Sequence, residues 1–490
     1  MSGADYLPPD EMTLQAAGDT LSGRLSVNGR GDVETDRTYY DTFDGLLHAD
    51  GLSVVHEHGR LALVERSTDT ERAAIAIPQP TQPLLVVGLP PGAFREALVS
   101  VVDVRALLPL VHVHSRVRAL DVLDNERKIV VRMKLEQPTV ITSASDNRPL
   151  RPRVRLAAVR GYDDELDALR GTLEHELGFK PADQPLVDEA VRAAGGVPGG
   201  VPSKISVPLA ADQRADAATV AILHALLRII EANVPGSIAD IDAEFLHDFR
   251  VAVRRSRAVQ RELRGVFPPD TLMTFRTDFK WLQTITGGAR DLDVYLLDFD
   301  VMRVMVPEEM RADLEPLRGV LEEWGAFLEE LIESDTADRP DAARPIGEVA
   351  GERIAKVYRR MVKMGRGITS ESPAEDYHEL RKKGKELRYL LELYGAPLFD
   401  DDVVKPMVKT LKALQDVLGR HQDREVQTAM LRSLRHEVSE HPGGAGALMA
   451  MGALVQRLGE DEQAARGEFA ESFASFAAKS QRRLVKETFR

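Results

Sequence analysis

The stretch HDFRVAVRRSR, which begins at His247, places cationic side chains along one side of a predicted helix. At about 100° per residue, five basic positions share an arc of about 80°. They are His247, Arg250, Arg254, Arg257 and Arg261. Like charges along one stripe cost free energy unless an anion covers them, because a solvated helix gains from opposite signs at i,i+4. Arginine forks match phosphate oxygens and lysine adds a mobile charge, so the pattern predicts phosphate binding.

The basic stripe is repeated. FLHDFRVAVRRSR at Phe245 matches DYHELRKKGKELR at Asp376 with an offset of 131 residues. This offset pairs His247 with His378, Arg250 with Arg381, Arg254 with Lys385, and Arg257 with Arg388. A second motif, KWLQTITGGARD at Lys280, matches KALQDVLGRHQD at Lys412 with an offset of 132. Solvated or acid-paired faces are the alternative explanation, but such faces have no reason to repeat a cation at matched positions.

The spacing of the stripes indicates the ligand. If the two repeats face each other about a pseudo-two-fold axis, their stripes line one elongated groove that suits a long, densely charged anion. No GxxxxGK[ST] loop is present to cradle a nucleotide. Aromatic residues make up only 5% of the chain and none interleaves the stripes, so base stacking has little support. The histidines lack HxxxH or HExxH spacing, so neither a metal site nor a catalytic residue is expected.

Length and composition set the class of protein. The 490 residues suffice for two or three domains, and 43% hydrophobic with 29% charged residues is a soluble globular profile. No stretch approaches the roughly 18 apolar residues of a membrane span, and the first residues do not resemble a secretory signal. The absence of cysteine suits a reducing compartment. With a net charge of −14, anion binding must be local.

The pattern changes at the segment AAGGVPGGVPSK, residues 193–204. Before it, β-branched runs such as GRLALVE, RAAIAIP, PLLVVGL, LVHVHSRVRALDV and KIVVRMKLE predict an antiparallel sheet, followed by a helix from Asp163. After it, long 3.6-residue periodicity predicts helices. We therefore predict an α+β multidomain chain with a β domain at 1–195, a Gly/Pro linker at 196–205 and an all-α domain at 206–490. The two helical repeats are expected at about 206–335 and 346–490.

HDFRVAVRRSR, LQTITGGARDLD, HELRKKGKELRYLLELYG and LQDVLGRHQDRE resemble the CHAD (conserved histidine α-helical) domain over residues 206–490. The resemblance implies two pseudo-symmetric four-helix bundles that bind inorganic polyphosphate in a basic cleft. The expected contacts are His247, Arg250, Arg254, Arg257, Lys280, His378, Arg381, Lys385, Arg388 and Lys412. Further expected contacts are Arg261, Arg290, Lys382 and Arg420.

The first half resembles the CYTH domain, a triphosphate-tunnel fold, at RTYYDTFDGLLHADGLSVV from Arg37 and HVHSRVRALDV from His112. This resemblance implies a closed antiparallel β-barrel with a charged interior and, in active members, an ExExK strand. TLSGRLSVNG stands in that region without the triad, and Glu65 stands where a lysine is expected. Basic residues do remain, at Arg116, Arg118, Arg132 and Lys134. A metal-dependent triphosphatase without its carboxylates lacks its Lewis acid, so a degenerate, inactive domain is expected.

Together these patterns predict a non-enzymatic polyphosphate-binding protein. It is expected to be cytoplasmic, associated with polyphosphate granules, and without cofactor, metal or membrane contact. Nucleic acid is not an expected partner, and protein partners stay open. Two alternatives remain: a CYTH-type triphosphatase or polyphosphate-processing enzyme, and an RNA-binding or scaffold protein.

Overall fold

A computed structural model describes residues 4–10, 12–142, 146–202, 205–286, 315–440 and 444–489. The chain divides into two compact units. The first comprises Met1–Ser203 with Val234–Leu246, and the second comprises Lys204–Asn233 with His247–Arg490. The division therefore falls between residues 203 and 204, and a short helical segment of the second half clusters with the first unit.

The first unit is built on an antiparallel sheet of twelve strands. They are β1 (Ala4–Leu7), β2 (Val27–Gly29), β3 (Val33–Asp41), β4 (Leu52–Glu57), β5 (Arg60–Glu65), β6 (Glu71–Ala76), β7 (Leu84–Leu85), β8 (Ala106–Leu123), β9 (Ile129–Ile141), β10 (Asn147–Pro149), β11 (Arg153–Ala158) and β12 (Lys180–Pro181). The main order is β12-β1-β11-β9-β8-β3-β4-β5-β6, with β10 on β9 and with β2 and β7 on β8. Because β6 and β12 do not pair within the described residues, the sheet is a half-barrel and not the closed barrel that was expected.

Helices cover both faces of this sheet. They are α1 (Leu14–Arg24), α2 (Leu46–Ala49), α3 (Ala93–Val102), α4 (Asp163–Gly171) and α5 (Leu186–Ala193). Leu120 and Met133 pack with Leu21 of α1 in one core cluster. On the opposite face, Val113 and Val140 pack with Val187 of α5. The β-branched alternation of β8 and β9 thus fills a core on each side of the sheet.

Two local predictions for the first half are wrong. In PLLVVGL only Leu84–Leu85 is a strand, and Val86–Gly88 forms a 3₁₀ turn. In TLSGRLSVNG the first five residues belong to α1, whose N-cap Thr13 accepts a hydrogen bond from the amide of Ala16. The first strand is instead β1, whose sequence ADYL has no ExExK triad either.

The segment between the two halves is packed against the first unit. The amide of Val201 donates to the carbonyl of Phe43 at 3.0 Å. Gly200 adopts a φ of +63°, and a Cβ there would collide with the Phe43 carbonyl. Glycine is needed at this position because only its bare backbone permits both the conformation and the close approach.

The second half is built mainly of helices in its described part. Its helices are α6 (Ala215–Ile238), α7 (Ala243–Glu262), α8 (Pro269–Ile285), α9 (Glu315–Leu331), α10 (Ile346–Gly365), α11 (Ala374–Leu390), α12 (Asp401–Glu440), α13 (Gly444–Phe476) and α14 (Lys479–Thr488). A five-residue π-helical segment, Leu391–Gly395, extends α11. Trp324 anchors the core of the first repeat against Phe275 and Phe279. In the second repeat, Tyr377 stacks on His421.

One helix among the described residues is more apolar than was expected from the sequence. By length and composition the helix α6 could cross a membrane, since its most apolar 18-residue stretch has a mean hydropathy of 1.5. Of this stretch, 56% is buried inside the protein. A core helix of a helical bundle has the same property, because it is surrounded by other helices.

Candidate anion-binding site

The two predicted stripes lie on α7 and α11. The apolar side of α7 is buried through Phe249 and Val253, which fixes the direction of the basic side. In α11, Tyr377, Leu380 and Leu387 are buried in the same way. Pro373 is the N-cap of α11 and marks where the helix begins. Amphipathic packing therefore holds both basic sides in defined directions.

Two ion pairs join α7 to the second repeat. Arg255 lies 3.0 Å from Glu392, and Arg261 lies 2.8 Å from Glu386. The offset of 131 residues makes Glu386 the counterpart of Arg255, and Glu392 the counterpart of Arg261. The two pairs are therefore exchanged by the pseudo-two-fold axis, as in an isologous interface. Arginine stands at both positions in the first repeat and glutamate at both in the second.

Arg254 and Lys385, which occupy matched positions of the two repeats, approach each other near that axis. Burial, followed by the charges of Arg381 and Arg254, lowers the pKa of Lys385 to about 8, against the opposing charge of Asp423. Among the described residues, no carboxylate forms an ion pair within 4.0 Å with Arg254, Arg381 or Lys385. The Nε atom of Arg254 is buried and has no hydrogen-bond acceptor in the part of the chain that the structure describes. Among the described residues, this central cluster of three cations is therefore opposed only by the more distant charge of Asp423.

A second group of cations lies on α7 and α8. A hollow of about 280 Å³ is lined by Arg257, Gln260, Arg261, Met273, Arg276, Thr277 and Lys280. Burial, and then the charges of Arg261 and Arg276, lower the pKa of Arg257. Arg276 was not predicted from the sequence, although it precedes Lys280 by four residues and so shares its helix face. We refer to the central cluster and this hollow together as the α7–α11 surface.

Other predicted residues have partners within the protein. Arg250 is buried and donates to the hydroxyl of Thr286 at 2.9 Å and to the carbonyl of Gln283 at 3.3 Å. Arg257 also donates to the side-chain carbonyl of Gln283. These bonds tie α7 to the C-terminal end of α8, so Arg250 serves the packing of the two helices.

Three of the seven predicted residues of the second repeat are held by acids. Arg388 donates to Glu392 at 2.6 Å, whereas Lys382 pairs with Glu379 and Arg420 pairs with Glu468. Lys412, like its counterpart Lys280, is exposed.

The two histidines lie beside uncharged or acidic groups. The Nδ1 atom of His378 hydrogen-bonds the side-chain carbonyl of Gln422. His247 is half-buried and offers a ring nitrogen within 4.8 Å of a carboxylate oxygen of Asp248. Arg290 lies outside the described residues.

In the first unit, a half-buried arginine on the face that would line a tunnel is paired with two acids. Arg37 lies 2.7 Å from Glu136 and 3.1 Å from Glu57. Burial opposes its charge, but its interactions with Tyr39, Glu136 and Glu57 hold the pKa of Arg37 above its ordinary value. Arg37 is therefore neutralised. Lys134 and Arg132 alternate with Glu136 along β9 and point to the same face, and neither forms an ion pair within 4.0 Å among the described residues.

The helix α5 adds two more such pairs on the same unit. Its Asp188 pairs with Arg66, and its Glu189 pairs with Arg153. Both arginines are buried, with 8% and 2% exposure. The apolar residues of α5 pack on Val113 and Val140 of the sheet face, so the helix fills this face as well as neutralising it.

The remaining predicted cations of this unit do not share one face. Arg118 is paired across the sheet with Leu135, and Lys134 is paired with Ala119. Directly paired residues point to the same side, so Arg118 and Lys134 lie on opposite faces. Arg118 is bound to Asp32 at 2.6 Å.

Residues 221–432, which contain α7, α11 and the described cations between them, match the family model of the CHAD domain. The chain carries a CHAD domain. The crystal structure of the CHAD domain from the plant Ricinus communis is similar to this chain, with 22% sequence identity and a TM-score of 0.44. The similarity covers 56% of this chain and 95% of that one. No curated protein matches the chain.

The CHAD domain of this chain thus lies in the second half, and the half-barrel that precedes it is consistent with a CYTH-like fold. Both α7 and α11 fall inside the matched residues, whereas α13 and α14 lie beyond them.

Proposed function

We propose that the CHAD domain binds inorganic polyphosphate on the α7–α11 surface and does not transform it. The observation that supports this most is the central cluster of Arg254, Arg381 and Lys385. Like charges held together in a half-buried position repel one another, and the depressed pKa of Lys385 is a measure of that cost. An anion that covers the cluster removes the repulsion.

The arrangement of the cations favours a chain of phosphates over a single phosphate. The central cluster contains Arg254 and the hollow contains Arg257 and Arg276, so the two groups follow one another from α7 to α8. Arginine forks in both groups suit phosphate oxygens at many orientations. A flexible chain can contact both groups in succession.

We further propose that the first unit has no triphosphatase activity. Two observations support this proposal. The helix α5 fills one face of the sheet, and carboxylates form ion pairs with Arg37, Arg66 and Arg153. A cytoplasmic location on polyphosphate granules follows if the polymer is the ligand, and it belongs to the same proposal.

The experiment is a titration of the full chain with polyphosphate of defined lengths, with single-stranded RNA as competitor. We expect saturable binding that RNA displaces only weakly. Displacement by RNA at equal phosphate concentration would favour the RNA-binding alternative. Release of inorganic phosphate with Mg²⁺ or Mn²⁺, abolished by EDTA, would favour the enzyme.

A further inference from the structure

A second basic stripe runs along α10, outside both predicted motifs. Between Arg353 and Arg366 the sequence RIAKVYRRMVKMGR contains no acidic residue. At 100° per residue, five of its cations share an arc of about 120°. They are Lys356, Arg359, Arg360, Lys363 and Arg366, and all five are exposed.

This stripe faces away from the α7–α11 surface. The opposite side of α10 is buried through Ile354, Tyr358 and Met361. A Cβ placed on Gly384 of α11 would lie 3.5 Å from the Cε of Met361, so the buried side is the one that meets α11. The exposed cations of α10 therefore form a separate surface.

The last helix extends this surface. The helix α14 packs against α10. Lys479, Arg482, Arg483, Lys486 and Glu487 line a hollow of about 460 Å³ on it. Burial raises the pKa of Tyr358 to about 12, and the charges of Arg482 and Arg366 oppose that rise, so both arginines lie within electrostatic range of this phenol. The cations of α10 and α14 are called the α10–α14 surface below.

Little negative charge balances these residues. Arg483 pairs with Glu487 at 2.8 Å, and the Nε atom of Arg482 is buried with no hydrogen-bond acceptor among the described residues. Arg353, at the start of the stripe, pairs with Asp341 at 3.1 Å. Of the carboxylates that the structure describes, none lies within 4.0 Å of a cation of the five-residue α10 stripe. In a chain of net charge −14, such a surface indicates an anionic ligand.

The fold does not require the α10 stripe. The helix α6 begins the first repeat as α10 begins the second, but α6 is apolar and carries only Arg228 as a lysine or arginine. A cation near a helix C-terminus is favoured by the helix dipole, but that effect is confined to the last turn. It accounts for Lys363 and Arg366 and leaves Lys356, Arg359 and Arg360 unexplained.

The chemistry of the surface points to phosphate oxygens. Both helices are fully described, and neither exposes an aromatic side chain on which a base could stack. Tyr358 is 1% exposed. Leu484 is the exposed large apolar residue of α14, which is too little for insertion into a lipid surface.

We propose that the α10–α14 surface is a second binding site for inorganic polyphosphate. Since it is separate from the α7–α11 surface, one protein can hold two segments of polymer and cross-link chains. This inference rests on the proposed function, because it assigns the same ligand to a second surface.

The test uses the full chain and a short polyphosphate of one defined length. Isothermal titration should give two chains bound per protein. The exposed-residue variant Arg360→Gln/Lys363→Gln/Lys486→Gln should keep one binding event and weaken the other at least tenfold. The matched control Arg432→Gln/Arg435→Gln/Arg457→Gln, which removes the same charge from exposed positions on α12 and α13, should keep both.

Light scattering with long polyphosphate gives a second measurement. The wild-type protein and the control should form cross-linked assemblies, whereas the α10–α14 variant should bind without scattering. That retained binding also shows that the variant is folded.

Three results overturn the proposal, and they are distinguishable. Absence of any polyphosphate binding by the wild-type protein refutes the proposed function and the second site together. One binding event that is lost on Arg254→Glu but unaffected by the α10–α14 variant refutes the second site alone. Loss of RNA binding by that variant, with unchanged polyphosphate stoichiometry, assigns the surface to nucleic acid instead.

Discussion

Arg254 is the residue whose substitution best tests the α7–α11 surface. Arg254→Glu places a negative charge beside Lys385 and removes a donor pair. Charge-assisted hydrogen bonds contribute about 1.5–3 kcal/mol each, so affinity for polyphosphate should fall by roughly tenfold or more. The measurement is a binding titration at constant ionic strength.

The control variant must change the net charge by the same amount as Arg254→Glu, at a position outside the α7–α11 surface. Arg435→Glu does so, because Arg435 is exposed on α12. Arg255 lies off the predicted stripe but is unsuitable, since it is bound to Glu392 and its reversal would put two glutamates together. Equal losses at positions 254 and 435 would mean that only net charge is recognised.

Lys385 should make polyphosphate binding depend on pH above neutrality. Its pKa of about 8 in the free protein should rise when an anion covers it, so binding takes up a proton. Affinity should be greatest below pH 8 and should fall as pH rises, until it passes the pKa of the bound state. In Lys385→Met this fall should disappear, as measured by titrations across that range.

The substitution Lys385→Met should increase the stability of the folded protein, although it removes a cation from the binding surface. Between pH 8 and 10.5 the unfolded chain keeps the proton that folded Lys385 has lost, so the stability of the wild-type protein rises with pH in that window. Below pH 8 the half-buried charge of Lys385 destabilises the folded protein. Lys385→Met should therefore stabilise the folded protein by about 1 kcal/mol after allowance for solvent screening. A variant that is weaker in binding and also less stable would contradict the assignment.

At the scale of elements, the two symmetry-related ion pairs should hold the repeats together. Arg255 and Glu392 are 15% and 25% exposed at their side chains, so the pair is partly shielded from water. A double-mutant cycle with Arg255→Gln and Glu392→Gln should give a coupling of about 1 kcal/mol. Denaturant unfolding of the four proteins measures it, and a coupling near zero would remove this role.

The helix α5 should be needed for the stability of the first unit. Glu189→Gln leaves Arg153, which is 2% exposed, with less negative charge around it and should cost about 2 kcal/mol. The control Glu176→Gln breaks an exposed pair with Arg24 and should cost less than about 0.5 kcal/mol. Thermal unfolding compares the two, and equal shifts would show that α5 only covers the sheet.

Sequence patterns predicted elements more reliably than side-chain partners. Periodicity located α7, α11, β8 and β9, because apolar spacing reports directly which side of an element is buried. It could not show that Arg250 bonds Thr286 or that Glu386 reaches Arg261, since these contacts join residues far apart in the chain. Arg276 and the α10 stripe were missed for a different reason. They lie outside the two repeated motifs, so no matched position in the other repeat marks them.

At the scale of the molecule, an acidic chain carries positive charge in two confined surfaces on one unit. The acidic remainder repels polyanions at a distance, so binding must depend on short-range contacts with these cations. Screening by salt acts on both the attraction and the repulsion. Salt dependence therefore reports how many cations take part.

We expect polyphosphate binding to be steeply dependent on salt. Like nucleic acid, polyphosphate holds condensed counterions, and each cation that replaces one adds to the slope of log K against log salt. If about six to ten cations take part, affinity should fall by about three to five decades between about 50 and 200 mM salt, by analogy with DNA. Arg254→Gln should lower the slope by about one, because one contact is removed, and Arg435→Gln should leave it unchanged. A shallow slope that both variants share would show that the ligand is held by hydrogen bonds to uncharged groups. The cations of the α7–α11 surface would then not be the binding site.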